Sequence, residues 1–364
     1  MVRKYGMGFD GGNSMAKGVV FLAGRPVVMV IPSVSTDGSL EKLALKRRAD
    51  GGEFFSDRDC LDRNEYVLSL KNGSIEKYVG ELARTEDPMA SSGRGDINRY
   101  WSSRIRELAL TIAGTKIDDK EYDLYVVTGL PAKTFSEETV KKITNALQGT
   151  YTYTLNGRTQ VAHVIVSKVL QEGAGASIAL ASPKKEIEGF IDIGGFSTDL
   201  YACEGLKAIG NFIDGVDVGV ENILDQIDVW YMRDCRIDVG LAARHRNAIL
   251  QALSHKGTLP FPTLTVGDKK VSSAQVKEWA DDAVLQVGAK INEFVSRTWR
   301  SGGRGQVAFD FEKVSIVGGG AYYFEQEVQK IVGKARSTSQ PELQNVLGYG
   351  VYANRIAERV KAIA

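Results

Sequence analysis

The sequence predicts a two-domain α/β protein built by internal duplication. Three observations carry that prediction. At 364 residues the chain is long for a single hydrophobic core. The stretch "GFDGGNSMAKG" at residues 8–18 returns in altered form as "FIDIGGFSTDLY" at 190–201. Each copy opens its half of the chain in the same way, as three successive strands with an Asp and a glycine pair at the first turn (Asp-Gly-Gly at 10–12, Asp-x-Gly-Gly at 192–195), followed later by helices and further strands.

Composition sets the outer limits. The chain is 43% hydrophobic and 25% charged, as folded globular proteins are. Its 46 basic and 45 acidic residues leave a net charge of +1, which argues against a dedicated nucleic-acid binder. Cys60, Cys203 and Cys235 form no C-x-x-C, so neither a zinc ribbon nor an iron–sulfur site is expected. The N-terminus lacks the apolar core of a signal peptide, and no apolar run approaches the ~20 residues of a membrane span. The expectation is a soluble, cytoplasmic protein.

Taken in order, the elements support the duplication. Residues 1–32 alternate as strand, turn, strand, with 23–26 as a tight connection. Residues 37–64 are polar and glycine-punctuated and predict irregular surface, whereas 98–115 have helical spacing. "YDLYVVTGLP" at 122–131 predicts a buried strand. The next segment predicts a helix capped by Ser136 and stopped by Gly149. Asn156-Gly157 marks a hairpin. The small-residue run at 167–182 predicts a helix. After the second Asp-x-Gly-Gly come "LYACEG" and "KAIGNFID" as strands and "VGVENILDQIDVWYM" as a helix. "KVSIVGGGAYYFEQEVQKIV" predicts strand, glycine turn, helix, and a final helix closes the chain with Ile356, Val360 and Ile363 on one face.

The repeated turns suit phosphate chemistry. Gly11, Gly12, Gly194 and Gly195 let backbone approach a ligand and tolerate positive φ, and such turns aim several N–H groups one way. Asn13, Ser14, Ser197 and Thr198 add hydrogen bonds, and Lys17 adds a point charge. Asp10 and Asp192 would repel phosphate directly. They make sense with a divalent cation between, held mostly through water as Mg²⁺ prefers. Gly318, Gly319 and Gly320 form a third glycine turn, without the full G-x-G-x-x-G of a nicotinamide-binding domain.

In this order, "GFDGGNSMAKG", "FIDIGGFSTDLY", "SIVGGGAYYF" and "LQNVLGYGVYANRIAE" resemble the actin-like ATPase superfamily, and within it the prokaryotic ParM and archaeal actin-like type. The resemblance implies an actin-like fold: two ribonuclease-H-like α/β domains with nucleotide and Mg²⁺ in the cleft between them. It implies domain I at 1–166 plus 341–364, with 32–120 including the variable subdomain, and domain II at 167–340. Asp10 to Lys17 match the first phosphate loop and Asp192 to Thr198 the second, with Asp10 and Asp192 serving Mg²⁺. Gly318 to Gly320 match the turn against the adenosine. "QEG" at 171–173 matches the inter-domain helix that orients the attacking water, with Glu172 the first choice and Gln171 the alternative. Glu221 is the candidate for base or ribose contact in 219–300.

The function so implied is a filament-forming protein that hydrolyses ATP, GTP remaining open, with Mg²⁺. Its expected partners are further copies of itself and a DNA-binding adaptor, for plasmid or other DNA segregation or cytoskeletal positioning. Neither membrane insertion nor direct nucleic-acid contact is expected. "RTWRSGGRGQ" at 297–306 is a basic stretch read as a solvated loop or polymer contact, and "SGRGD" at 92–96 as a loop. Two alternatives stay open: a small-molecule kinase of the same superfamily, and an ATP-binding scaffold without significant turnover.

Overall fold

The computed structural model describes all residues except 1, 50–60, 63, 71–72, 88–96, 183, 256–257, 268, 301–305 and 364. The chain divides into two compact units. Unit 1 comprises Met1–Leu130, Thr134–Leu180 and Asn345–Ala364, and unit 2 comprises Pro131–Lys133 and Ala181–Gln344.

Among the described residues unit 1 has nine strands: β1 Arg3–Asp10, β2 Met15–Leu22, β3 Arg25–Pro32, β4 Ser35–Asp37, β5 Tyr66–Leu70, β6 Ile75–Val79, β7 Glu121–Leu130, β8 Gly149–Leu155 and β9 Arg158–Gln171. They form one sheet in the order β3-β2-β1-β7-β9-β8-β5-β6-β4. Its helices are α1 Leu40–Ala49, α2 Glu81–Glu86, α3 Ser103–Lys116, α4 Glu137–Leu147, α5 Ala174–Leu180 and the C-terminal helix Gln344–Ile363. Local chemistry accounts for the turns. Asn156 and Gly157 take φ of 49° and 80°, the left-handed pair that lets Leu155 face Arg158 in a two-residue hairpin. Ala23 and Gly24 do the same between Leu22 and Arg25. Ser136 caps α4 in a reciprocal box with Thr139. The core lies under the sheet, where Met7, Phe9, Leu124 and Val126 meet Ile105, Leu108 and Ile112 of α3.

Three expectations change here. Part of the polar stretch 37–64 is helix α1, because Leu43 reaches a small apolar cluster with Val34, Val67, Tyr78 and Leu82. The predicted helix at 167–182 is strand β9 up to Gln171 and helix α5 only from Ala174, because parallel pairing with β7 runs on to Leu130↔Gln171. That pairing also moves the domain boundary. Residues 167–180 belong with unit 1, not with domain II, and the C-terminal return begins at Asn345 rather than 341.

Unit 2 repeats the plan. Its strands are β10 Ile187–Ile193, β11 Thr198–Glu204, β12 Lys207–Ala208, β13 Asp214–Val216, β14 Leu264–Val266, β15 Lys269–Val271, β16 Lys313–Val317 and β17 Ala335–Ser337. Its helices are α6 Glu221–Cys235, α7 Ala243–Ser254, α8 Ser273–Trp299 and α9 Ala321–Gln329. The main sheet runs β12-β11-β10-β16-β17, with β13 paired to β11. The expected strand "KAIGNFID" is broken into the two-residue β12 and a 3₁₀ turn at Gly210–Phe212 before β13. α8 supplies the core with Val276, Ala280, Ala283, Val287 and Ile291, spaced at three and four residues along one stripe.

The duplication is now visible as topology. In each unit the third, second and first strands are antiparallel neighbours, and two later strands add in parallel beyond the first: β3-β2-β1-β7-β9 and β12-β11-β10-β16-β17. Residues 92–96, expected to be a loop, and residues 301–305 of the basic stretch lie outside the described residues. Trp299 of that stretch is fully buried and donates its indole N–H to Phe212 O at 2.9 Å, so it offers no face to a nucleobase.

Candidate functional site

Most predicted site residues fall in, or directly beside, turns at the carboxyl ends of strands in their own units, where α/β sheets present ligands; Lys17 lies on β2 and Glu221 opens α6. In unit 1, Asp10 ends β1, and Gly11, Gly12, Asn13 and Ser14 form the turn into β2. Lys17 stands directly across the ladder from Asp10 and binds it, Nζ to Oδ2, at 2.9 Å. Both side chains are about four-fifths buried (17% exposed for Lys17, 20% for Asp10). The glycines are here for space rather than for φ. A Cβ at Gly11 would lie 2.6 Å from Ile105 Cδ1, and one at Gly12 would lie 2.8 Å from Met15 O. None of Gly11, Gly12, Gly194 and Gly195 has positive φ, which corrects half of their sequence-based rationale. Asn13 Oδ1 is buried without a hydrogen-bond partner, a feature that fits a ligand or its water shell.

Gln171 and Glu172 lie at the same end of the same sheet. Two strand spacings, about 10 Å, separate the ends of β1 and β9, with β7 between them. Glu172 is in the turn before α5 and not on a helix, which corrects the expectation for "QEG". Its N–H donates to Leu130 O at 2.8 Å. Gly173 follows with φ +87°, a conformation that favours glycine.

In unit 2, Asp192 is buried near the end of β10, one residue before Ile193 pairs with Thr198. The turn closes by Gly194 N–H to Ser197 O at 2.8 Å. The carbonyls of Gly194 and Gly195 accept from Val220 and Glu221 N–H, fastening the turn to the start of α6. Thr198 is buried and spends its hydroxyl on Val218 O at 2.8 Å, so its side chain is committed inside the fold. Glu221 binds Arg246 at 2.9 Å in a cluster with Asp225 and Asp228.

The third glycine turn packs on this second loop. β16 lies beside β10 in parallel, with Asp192 opposite Val317, so Gly318 begins where Asp192 ends. Gly318 has φ +79°, and a Cβ there would meet Asp192 Oδ1 at 2.4 Å. A Cβ at Gly320 would meet Ile193 Cγ2 at 2.2 Å, and Gly320 N–H donates to Ile193 O at 2.7 Å. Gly319 between them faces open space. Tyr322 follows on α9. Burial, together with its bond to Glu342, pushes its hydroxyl up to about 12.

Sequence reasoning missed Asp199. It is 1% exposed, stands across the ladder from Asp192, and accepts Ala132 N–H at 2.7 Å. The signal was available: Asp199 follows Asp192 by seven residues, as Lys17 follows Asp10. Among the described residues no three His, Cys, Asp or Glu side chains gather as a ready-made metal site. Two hollows of about 350 Å³ each lie elsewhere in unit 1, beside Arg158 and beside Tyr153, and include none of these residues.

Comparison with known proteins agrees with this topology. Residues 8–175 match the family profile described as actin like proteins N terminal domain. The whole chain superposes on a ParM of a 15-stranded filament from Clostridium botulinum at 20% identity and TM-score 0.73, covering 97% of this chain and 100% of that one. A non-polymerisable quadruple mutant of pCBH ParM gives 19% identity and TM-score 0.71 over 97% and 100% of the two chains. The archaeal actin homologue Ta0583 in complex with ADP gives 17% and 0.66 over 98% and 100%. No curated protein sequence matches the chain. Among the described residues no helix is long and apolar enough to cross a membrane.

Proposed function

We propose that this chain, an actin-like protein by its fold and by its N-terminal half, binds a nucleoside triphosphate with Mg²⁺, hydrolyses it, and assembles with copies of itself into filaments. The observation that carries the reading is the pair of glycine turns at equivalent positions of the two units, each next to an acid at the end of its first strand. Each turn suits phosphate oxygens by its own backbone. The backbone N–H groups of 11–14 and 194–197 donate to phosphate oxygens, and Lys17 supplies the positive charge.

The residues present fit Mg²⁺. Asp192 and Asp199 are two buried acids on facing strands of unit 2, suited to a hydrated divalent cation. When bound, Mg²⁺ would neutralise charge on the β- and γ-phosphates. Glu172 orients a water for in-line attack on the γ-phosphorus; the bond from the γ-phosphorus to the β–γ bridging oxygen breaks, leaving the nucleoside diphosphate and inorganic phosphate. Gly319, open where its neighbours are crowded, admits the nucleoside. The ADP complex of the archaeal homologue supports nucleotide binding, and the ParM filament supports self-assembly. A filament protein of this kind serves DNA segregation or positioning through an adaptor.

Equilibrium titration of the purified chain with fluorescent ATP and GTP analogues, with Mg²⁺ and with chelator, tests the binding step. Saturable, Mg²⁺-strengthened binding of at least one nucleotide is expected. No binding of either overturns the reading.

A further inference from the structure

The C-terminal helix begins beside the turn that holds Glu172. Asn345, in its first turn, uses one side-chain oxygen for two donors: Oδ1 accepts Gly173 N–H at 3.1 Å and Ala176 N–H at 3.0 Å. The adjoining N–H, that of Glu172, is taken by Leu130 O at the end of β7. The backbone of Glu172 and Gly173 is therefore fixed from two sides, by a strand and by a helix some 170 residues away in sequence (172 residues from Gly173 to Asn345). Packing leaves Asn345 no slack. A Cβ on Gly348 would fall 1.8 Å from Gly175 O, and one on Gly175 would fall 2.4 Å from Asn345 O. Only glycine at 175 and 348 lets the two backbones approach this closely.

From this geometry we infer that Asn345 is a positioning residue for Glu172, holding its turn so that the carboxylate meets the attacking water. The inference rests on the proposed hydrolytic role of Glu172. Gly173 takes φ +87° without strain, as glycine can, so the hydrogen bonds to Asn345 and Leu130, rather than side-chain sterics, hold the turn in place. Misplacing a catalytic group by about 1 Å costs up to a hundredfold in rate while leaving the nucleotide's own contacts untouched.

The test measures phosphate release and nucleotide affinity in parallel for the unchanged chain, Glu172→Ala, Asn345→Ala and Asn345→Asp. Asn345→Ala is expected to slow turnover roughly tenfold to a hundredfold, with affinity within about threefold. Asn345→Asp keeps an acceptor oxygen and is expected to restore most of the rate. Normal turnover in Asn345→Ala overturns the inference. So does an equal loss in Asn345→Asp, or a parallel loss of affinity, which would mark Asn345 as merely structural. If Glu172→Ala itself turns over normally, the role of Glu172 fails and the inference falls with it. If only Asn345→Ala is normal, the role of Glu172 stands. Hydrogen exchange on the unchanged chain tests the geometry without any variant. Slow exchange of the Gly173 and Ala176 amides is expected, and fast exchange of both overturns the proposal.

Discussion

The two glycine turns occupy the same place in two copies of one five-strand motif, yet one position gives them opposite electrostatics. Seven residues after its acid, unit 1 has Lys17 and unit 2 has Asp199. In both ladders that residue stands directly across from the acid, as Asp10↔Lys17 and Asp192↔Asp199. The first is an ion pair of opposite charges at 2.9 Å. The second sets two buried carboxyls on facing strands, where like charges repel. They splay, Asp192 toward Gly318 and Asp199 toward Gly215, and Asp199 takes a backbone N–H. Duplication explains the shared scaffold; divergence at one position divides the work. A lysine suits phosphate oxygens, and two acids suit a hydrated cation.

The largest effect should come from the acidic turn. Asp192→Ala is expected to weaken Mg²⁺-nucleotide affinity by about a hundredfold, with little change when Mg²⁺ is chelated. An equal loss in both conditions in calorimetric titration would break the assignment of Asp192 to the metal. Gly319→Val should follow. It faces open space, so urea unfolding should be unchanged while affinity falls roughly tenfold or more. Gly320→Val, placed against Ile193, should instead cost about 1–3 kcal/mol of stability. If both variants lose stability alike, Gly319 is not held open for a ligand.

Lys17→Ala sharpens the contrast from the other side. Its affinity should drop about tenfold with or without Mg²⁺, because the lost partner is phosphate. Dependence on Mg²⁺ would instead place Lys17 with the metal. The smallest effect is expected from Asp199→Asn, which keeps an oxygen for Ala132 N–H and removes one charge. A loss of roughly threefold to tenfold, confined to the Mg²⁺ titration, is expected. No loss at all would make Asp199 a purely structural anchor of residues 131–133.

Much of this was legible in the sequence, for identifiable reasons. Hairpins at Ala23-Gly24 and Asn156-Gly157, the Ser136 cap and the strands flanking both acid-and-glycine-pair turns depend on local chemistry, and local chemistry is what one sequence displays. The end of β9 was hidden because "SKVLQEGAGAS" contains enough small residues to suggest one continuous helix. Pairing with β7, a partner distant in sequence, overrides that preference up to Gln171. The burial of Trp299 and the committed hydroxyl of Thr198 likewise depend on distant partners, Phe212 and Val218. Asn345 gives no signal in its own neighbourhood, because its two donors belong to Gly173 and Ala176. Asp199 was recoverable by laying the two halves against each other, position by position.

The most direct test of the central claim follows light scattering and phosphate release together after ATP or GTP is added with Mg²⁺. The account predicts scattering that rises with nucleotide, then phosphate release, with both abolished in Asp192→Ala. Absence of scattering at every protein concentration, with phosphate neither released nor transferred, would contradict it.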